Sequence, residues 1–239
     1  MYNVQNLRVL SQIFSPPMFQ KIVRENDTVL FERQTAKYFN ASSYETNLDI
    51  IKSLYKTLQQ QYRCEYVYKN NLVQSLIKEE HSLKTTLILN ELKISASKAD
   101  LVMLNGAVRI FEIKTELDDF SKLSKQLADY QKFADEVNIV TDKKNAEKLK
   151  VEYENTSFGI IVLDTKNKLQ TIKEASSNTA LFEFDTIFKI LRKQEYLDLV
   201  ADNFGYIPDV PNTLIFKACY ELLACIDIIV FQKQVLNKL

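Results

Sequence analysis

The chain contains 239 residues, of which 46% are hydrophobic and 26% charged, a composition typical of soluble globular proteins. Its 31 basic and 31 acidic residues cancel, which excludes the strongly basic overall charge of many nucleic-acid-binding domains. The three glycines lie far apart, so neither a P-loop nor a GxGxxG dinucleotide motif is present. A single histidine excludes the two-histidine zinc motifs, and the lack of a CxxC pair argues against a cysteine zinc or redox site. An active site would therefore depend mainly on Asp, Glu and Lys, which favours a hard cation such as Mg²⁺.

The N-terminal segment, the apolar runs and the cysteines of the sequence indicate the cellular compartment to expect. The N-terminus lacks the charged start, apolar core and small-residue cleavage site of a secretory signal. The most apolar run, residues 226–231, is far too short to span a bilayer. Three cysteines without an evident pairing suit a reducing compartment. We therefore expect a cytoplasmic protein that does not enter a membrane.

The first part of the chain is predicted to be helical. Two prolines at 16 and 17 favour the start of a short helix, and Asn47 is a plausible N-cap for a longer one. Apolar residues recur at helical spacing in the two segments that follow. The predicted helices cover residues 16–24, 48–62 and 66–81.

The middle of the chain is predicted to alternate between strands and helices, and two helical segments follow it. The Asn105-Gly106 dipeptide is a strong hairpin signal, and the strand after it is apolar on both faces, as a central strand is. This alternation predicts an α/β fold with a mixed central sheet of about five strands flanked by helices. Strands are predicted over 86–94, 100–104, 107–115, 137–141, 159–164 and, at an edge, 169–172; helices are predicted over 117–134, 143–154, 181–201 and 211–236.

These elements divide the chain into three predicted regions. Residues 1–64 form an N-terminal helical region, residues 65–175 form the core with the sheet, and residues 176–239 form a C-terminal helical region. The chemistry-bearing residues are expected in the core.

Three charged residues stand out in the predicted central sheet. Glu112 and Lys114 are two positions apart, so they project from the same face of one strand. Asp100 opens the preceding strand, and a two-residue turn at Asn105-Gly106 would place it near positions 111–112. Charges in an apolar sheet are costly unless they are paired or bound to a metal. Spacing alone leaves two interpretations open: an ion pair in which Lys114 neutralises a carboxylate, or a catalytic site.

The residues that carry this pattern resemble a known superfamily. The segment ADLVMLNGAVRIFEIKTE is similar to the motif pair of the PD-(D/E)xK nucleases, with Asp100, Glu112 and Lys114 in the three motif positions. Ala99 stands where the superfamily often has proline. In the next helix, SKQLADYQKF is similar to the QxxxY motif of RecB-like members, with Gln126 and Tyr130. Residues 66–230 as a whole resemble a family of uncharacterised bacterial proteins within this superfamily.

The resemblance implies a restriction-endonuclease-like core and a Mg²⁺-dependent nuclease that hydrolyses DNA phosphodiester bonds, in phage defence, repair or mobile-element biology. It implies that Asp100, Glu112 and the backbone carbonyl of Ile113 bind Mg²⁺, for which Mn²⁺ can substitute. Lys114 would orient the attacking water or stabilise charge on the phosphate, and Gln126 would hydrogen-bond the nucleophile or the phosphate.

Members of the superfamily often have a further site carboxylate. We favour Glu91 on the first strand, with Glu79 or Glu80 on the preceding helix as alternatives. His81 at the end of that helix has a more ordinary interpretation, a cation at a helix C-terminus. Tyr130 also lies on the apolar stripe of its helix, so core packing is an equal alternative to a role at the site.

Two other interpretations remain open at this point. The chain could be a catalytically inactive nuclease-like fold that serves as a protein- or nucleic-acid-binding module, which the zero net charge mildly favours. The intact Asp–Glu–Lys set favours the enzyme, because an inactive site could lose such costly charges. The helical ends could also form a homodimer interface or bind a protein partner.

Overall fold

A six-stranded mixed sheet forms the centre of the computed structural model, which describes residues 2–40, 43–79 and 86–239. The strands lie in chain order, with β1–β2–β3 antiparallel, β3–β4–β5 parallel and β6 antiparallel to β5. The predicted α/β fold with a mixed sheet is confirmed, with six strands in place of about five. The strands are β1 Leu87–Ile94, β2 Ser97–Leu104, β3 Val108–Lys114, β4 Glu136–Thr141, β5 Gly159–Leu163 and β6 Leu169–Lys173.

Helices cover both faces of this sheet. Alternation along the central strand β3 sends Phe111 and Ile113 towards the N-terminal helices, while Val108 and Ile110 face the later ones. A strand buried on both faces needs apolar residues in both phases, which explains its composition. One face is covered by α1 Val4–Ser11, α2 Pro16–Arg24, α3 Val29–Tyr38, α4 Asn47–Gln61 and α5 Glu65–Glu79. The other face is covered by α6 Leu123–Tyr130, α7 Lys143–Glu152, α8 Phe184–Phe188, α9 Lys193–Phe204, α10 Asn212–Leu223 and α11 Ile228–Leu236.

The three N-terminal helices predicted with bounds agree with α2, α4 and α5 to within two residues, whereas α1 and α3 lie in sequence that was predicted only to be helical. Helix α2 begins at Pro16, where a missing N–H costs nothing. Helix α4 differs by one residue from the prediction, because Thr46 and not Asn47 is the N-cap. The Thr46 hydroxyl accepts a hydrogen bond from the backbone N–H of Asp49 at 3.2 Å.

The helix predicted over 117–134 is shorter in the structure, because α6 begins only at Leu123. Side chains in the preceding segment bond to nearby groups and compete with helix formation. The Asp118 carboxylate accepts from both the N–H and the hydroxyl of Thr115 at 2.8 Å, and Asp119 accepts from the N–H of Ser121 at 3.1 Å.

Each of the two long C-terminal helices predicted from sequence is divided in two. In the first, Glu195 accepts a hydrogen bond from the N–H of Arg192, which starts α9 as a separate helix after α8. In the second, the Asp227 carboxylate accepts from the N–H groups of Ile229 and Val230 and so caps α11. Residue types suited to capping therefore set both breaks.

None of the helices in the described ranges has the length and hydropathy needed to cross a membrane. The division into an N-terminal region, a core and a C-terminal region stays a prediction. Residues from all three take part in the two apolar clusters that cover the sheet.

Candidate functional site

The hairpin between β2 and β3 sets the geometry of the site. Leu104 pairs with Val108, so the turn contains three residues and not the two expected from sequence. A two-residue type I′ turn needs positive φ at both central positions, and in this loop only Gly106 has it, at +84°. The pairing continues to Leu101 and Phe111, which makes Asp100 and Glu112 the next residues outward on the two strands. Asp100 therefore lies opposite Glu112 and not one residue away from it.

Asp100 ends the pairing of β2 with β3 through its side chain. Its Oδ2 atom accepts a hydrogen bond from the backbone N–H of Ile113 at 2.8 Å, in the place of a backbone carbonyl. Burial, followed by the nearby charge of Glu112, raises the pKa of the half-buried Asp100 carboxyl to about 7. Two carboxylates thus crowd one end of the strand pair, where a cation would relieve their repulsion.

Glu112 is almost fully buried, with 1% of its surface exposed, and it is hydrogen-bonded on both oxygens. The Lys114 Nζ atom donates to Oε1 at 2.9 Å, and the Gln126 side-chain amide donates to the same oxygen. Lys114 also donates to the amide oxygen of Gln126 at 3.0 Å. The Tyr130 hydroxyl lies 2.8 Å from Oε2. We call these four residues the Glu112 network.

Helix α6 supplies two members of the network from one face. Gln126 and Tyr130 are four residues apart, so they lie one above the other on the helix surface turned to β3. The Tyr130 hydroxyl also lies 2.9 Å from the carbonyl oxygen of Lys98 on β2. Burial and the Glu112 carboxylate both raise the pKa of Tyr130, so its hydroxyl stays a hydrogen-bond donor. Tyr130 is fully buried in the core, and its hydroxyl contacts Glu112. It therefore both packs in the core and lies at the candidate site.

The structure does not bring Glu91 into the network. Its side chain is 56% exposed and forms an ion pair of 2.8 Å with Lys98. The Lys98 ammonium, which donates the hydrogen bond in this pair, lowers the pKa of the Glu91 carboxyl. The backbone of Glu91 is in the left-handed region, with φ of +60°. The alternatives Glu80 and His81 and the side chain of Glu79 lie outside the described residues.

A different carboxylate on the preceding helix lies near Asp100. Glu65 begins α5 and is close enough to Asp100 for its charge to contribute to the raised pKa of that carboxyl. It also forms an ion pair of 2.6 Å with Lys69, one turn along the helix. The sequence-based prediction placed the additional acid at Glu91, or at Glu79 or Glu80 at the other end of this helix. The Glu65–Lys69 spacing indicates a helical ion pair and does not by itself mark a site acid.

A second polar cluster that the sequence did not indicate lies beyond the end of β3. The Arg63 guanidinium donates to Glu116 at 2.6 and 2.9 Å and to the backbone carbonyls of Leu163 and Asp164. The buried Tyr68 hydroxyl donates to the other oxygen of Glu116 at 2.8 Å. These bonds tie the start of α5 to the carboxyl ends of β3 and β5, and so hold α5 beside the site.

The donor set suits Mg²⁺ better than a larger cation. Asp100 and Glu112 supply two carboxylates, and the Ile113 carbonyl between Glu112 and Lys114 is a third oxygen on the same strand end. Within residues 2–40, 43–79 and 86–239, no group of three or more His, Cys, Asp and Glu residues could hold a metal. Mg²⁺ needs only one or two carboxylates, because it keeps several waters. A carboxylate has about four acceptor positions, and Glu112 uses three for the network.

Comparisons with known proteins give one family match. The sequence model of the family described as "Bacteriophage P4 protein cII" matches residues 58–234, which is more than half of the chain. No curated protein matches the chain. A solved structure described as "SPO1766 protein of unknown function from Silicibacter pomeroyi" is similar at 14% identity and a TM-score of 0.36. That match covers 58% of this chain and 90% of that chain.

Proposed function

This chain belongs to the bacteriophage P4 protein cII family, and we propose that it is a Mg²⁺-dependent nuclease that hydrolyses DNA phosphodiester bonds. The observation that carries the proposal is the meeting of Asp100, Glu112 and Lys114 at the end of the β2–β3 pair. Two carboxylates and an ammonium at one strand end are the residue types that metal-assisted phosphodiester hydrolysis needs. The proposal includes the PD-(D/E)xK relationship and a cytoplasmic location, where Cys64, Cys219 and Cys225 stay reduced.

Asp100 and Glu112, with the Ile113 carbonyl, are the residues that would hold Mg²⁺. When bound, Mg²⁺ supplies charge stabilisation at the phosphate and lowers the pKa of a bound water. Asp100 must be deprotonated to bind a cation, so the high pKa of its carboxyl, about 7, makes binding favourable only near neutral pH and above.

Lys114 and Gln126 act on the reacting atoms. The Lys114 Nζ atom has three N–H groups, and two of them are held by Glu112 and Gln126. The third can donate to a phosphate oxygen or to the attacking water, where a fixed positive charge stabilises developing negative charge. Gln126 accepts a hydrogen bond from Lys114 and so holds it in this direction, and we propose that the Gln126 amide also contacts the nucleophile or the phosphate.

Tyr130 is a positioning residue. Its hydroxyl fixes one Glu112 oxygen and reaches the Lys98 carbonyl, so it links β2, β3 and α6 at the site. A carboxylate held in this way keeps its direction without being able to turn towards another partner.

A nuclease assay tests the proposal. Plasmid and single-stranded DNA are offered in parallel with Mg²⁺ or Mn²⁺. We expect the wild type to hydrolyse DNA, and Asp100→Ala and Lys114→Ala each to lose at least about 100-fold in rate. Lys98→Ala is the matched control, because it removes a nearby exposed lysine that is ion-paired with Glu91 and does not belong to the Glu112 network. Activity that survives both site substitutions in folded protein would sink the assignment.

The second candidate is a binding module with a nuclease-like fold. One observation favours it: the Glu112 carboxylate is already satisfied by three donors and can be stable without a metal. DNA binding without hydrolysis under any divalent cation would support this candidate over the first.

A further inference from the structure

A cleft of about 660 Å³ opens beside the site, between the start of α2, the first turns of α5 and strand β1. Its walls include aromatic, amide and charged side chains. They include Phe14, Tyr66, Lys69, Asn70, Asn90 and Glu91.

The cleft is close to Asp100. Glu65 and Lys69 line the cleft, and the charges of both act on the Asp100 carboxyl. Glu91, at the other wall, belongs to the strand that pairs with β2, where Asn90 lies opposite Leu101, the neighbour of Asp100. A substrate group in the cleft would therefore belong to the same nucleotide as a phosphate at the Asp100–Glu112 pair, or to the next nucleotide along the strand.

The chemistry of the cleft fits a nucleobase better than a phosphate chain. Tyr66 stacks on Phe14 with ring centroids 4.7 Å apart and contacts Tyr55 edge-to-face at 5.9 Å. Phe14 is buried and Tyr66 is half-buried, so Tyr66 is the ring of this cluster that can contact a base in the cleft.

The Asn70 amide donates one N–H to the Tyr55 hydroxyl, which leaves its other N–H and its oxygen for a base edge. The Asn90 amide can both donate to and accept from a base edge. Lys69 is the cation of this wall, and it is already paired with an acid, while Glu91 opposes phosphate. Electrostatic attraction to a DNA backbone is therefore weak here.

The backbone at the edge of the cleft is strained in a way that agrees with a binding role. Glu91 has a φ of +60° although it is not a glycine, a conformation that is unfavourable for a residue with a side chain. Such strain persists where the surroundings hold it, and it is common at ligand clamps. Its neighbours Asn90 and Leu92 keep their places opposite Leu101 and Ala99, so the left-handed conformation is local to Glu91.

We infer that the cleft binds an unpaired nucleobase next to the phosphate to be cleaved, so that the substrate is single-stranded DNA or the single-stranded part of a junction. Bases of a duplex are stacked and paired, so their faces reach such a cleft only after unpairing. This inference rests on the proposed nuclease function for the phosphate beside the base. It also explains how a chain of zero net charge could hold nucleic acid, since stacking replaces charge.

Fluorescence anisotropy with a labelled oligonucleotide in EDTA tests binding without hydrolysis. We expect the wild type to bind a single strand at least about 10-fold more tightly than a duplex of the same sequence, with a shallow salt dependence. Tyr66→Ala should weaken single-strand binding about 10-fold, because it removes the stacking wall. Tyr206→Ala, an exposed tyrosine on the α9–α10 loop, is the matched control and should leave binding unchanged.

Equal affinity for single and double strands, or Tyr66→Ala binding within about twofold of the wild type, would overturn the inference. Circular dichroism reports whether Tyr66→Ala folds. If it does not, Ser15→Trp decides, because Ser15 lines the cleft, makes no capping hydrogen bond, and a tryptophan there would fill the space. Retained binding by that variant contradicts the cleft assignment.

The two proposals fail in different ways. Single-strand binding that depends on Tyr66, without hydrolysis under Mg²⁺ or Mn²⁺, contradicts the nuclease and supports the cleft. Metal-dependent hydrolysis of duplex DNA that is unchanged in Tyr66→Ala contradicts the cleft and supports the nuclease.

Discussion

The two carboxylates of the site have opposite surroundings. Glu112 is buried, paired with an ammonium and hydrogen-bonded on both oxygens. Asp100 is half-buried, accepts one hydrogen bond from a backbone N–H, and has a pKa raised to about 7 by burial and by Glu112. The first carboxylate is stabilised by its neighbours, and the second is destabilised by them. A site of this kind keeps one carboxylate fixed and leaves the other to respond to protons and to nearby charges.

The largest expected effect comes from removing the ammonium beside the fixed carboxylate. Lys114→Met keeps the length of the side chain but leaves Glu112 buried without a cation. We expect the free energy of unfolding to fall by about 3–5 kcal/mol, the usual effect of breaking a buried ion pair. Urea unfolding measures it, with Lys98→Met as the exposed control, which should change stability by less than about 1 kcal/mol. A fall as small as that of the control would contradict the description of Glu112.

Replacement of Asp100, the other carboxylate, should stabilise the fold at high pH, whereas replacement of Lys114 destabilises it. Because the Asp100 pKa rises from 3.8 to about 7 on folding, the folded state keeps a proton that the unfolded state has lost between these values. Stability therefore falls as pH rises through this range. Asparagine does not titrate, so the free energy of unfolding of Asp100→Asn lacks this dependence on pH. Relative to the wild type, it should therefore rise by up to about 4 kcal/mol from pH 4 to pH 8, at about 1.4 kcal/mol per pKa unit.

The same unfolding experiments at about pH 4, 6 and 8 check this prediction. A difference between Asp100→Asn and the wild type that stays constant with pH would show that the surroundings do not destabilise Asp100.

A smaller effect is expected from the hydroxyl that fixes Glu112. Tyr130→Phe keeps the packing of a fully buried ring but leaves one oxygen of Glu112 without its donor. We expect the free energy of unfolding to fall by about 1–3 kcal/mol. Tyr153→Phe is the matched control, since its hydroxyl bonds to Ser124 and not to a carboxylate. Thermal unfolding that shifts more for Tyr153→Phe than for Tyr130→Phe would contradict the positioning role.

The smallest effect concerns the strained residue outside the network. Glu91→Gly places a glycine where φ is +60° and should raise stability by about 1 kcal/mol. Its nuclease rate should stay within about threefold of the wild type, because a glycine keeps this backbone conformation beside the cleft and the lost carboxylate does not contact the Glu112 network. A loss of rate comparable with that of Asp100→Ala would restore Glu91 as a site residue.

The part of the site that depends on local periodicity could be predicted from sequence. Two positions along a strand place Glu112 and Lys114 on one face, and four along a helix place Gln126 beside Tyr130. The structure brings all four together. These relations hold whatever the rest of the fold does, because they depend only on the repeat of each element.

The part that depends on register could not be predicted in the same way. Whether Asp100 lies opposite Glu112 depends on a turn of two or three residues, which is set by the φ of Asn105. Glu91 was expected to be a site carboxylate, but its left-handed backbone and its ion pair with Lys98 were not predictable from the sequence. The approach of Glu65 depends on how α5 packs across the sheet, which no local pattern specifies.

Calorimetric titration with Mn²⁺ and Mg²⁺ at about pH 8 tests most directly whether Asp100 and Glu112 hold a divalent cation together. We expect the wild type to bind one ion with millimolar affinity or better, Glu91→Gln to bind equally well, and Asp100→Asn to lose binding while remaining folded. No binding by the wild type at millimolar concentrations of either ion, or unchanged binding by Asp100→Asn, would contradict the account.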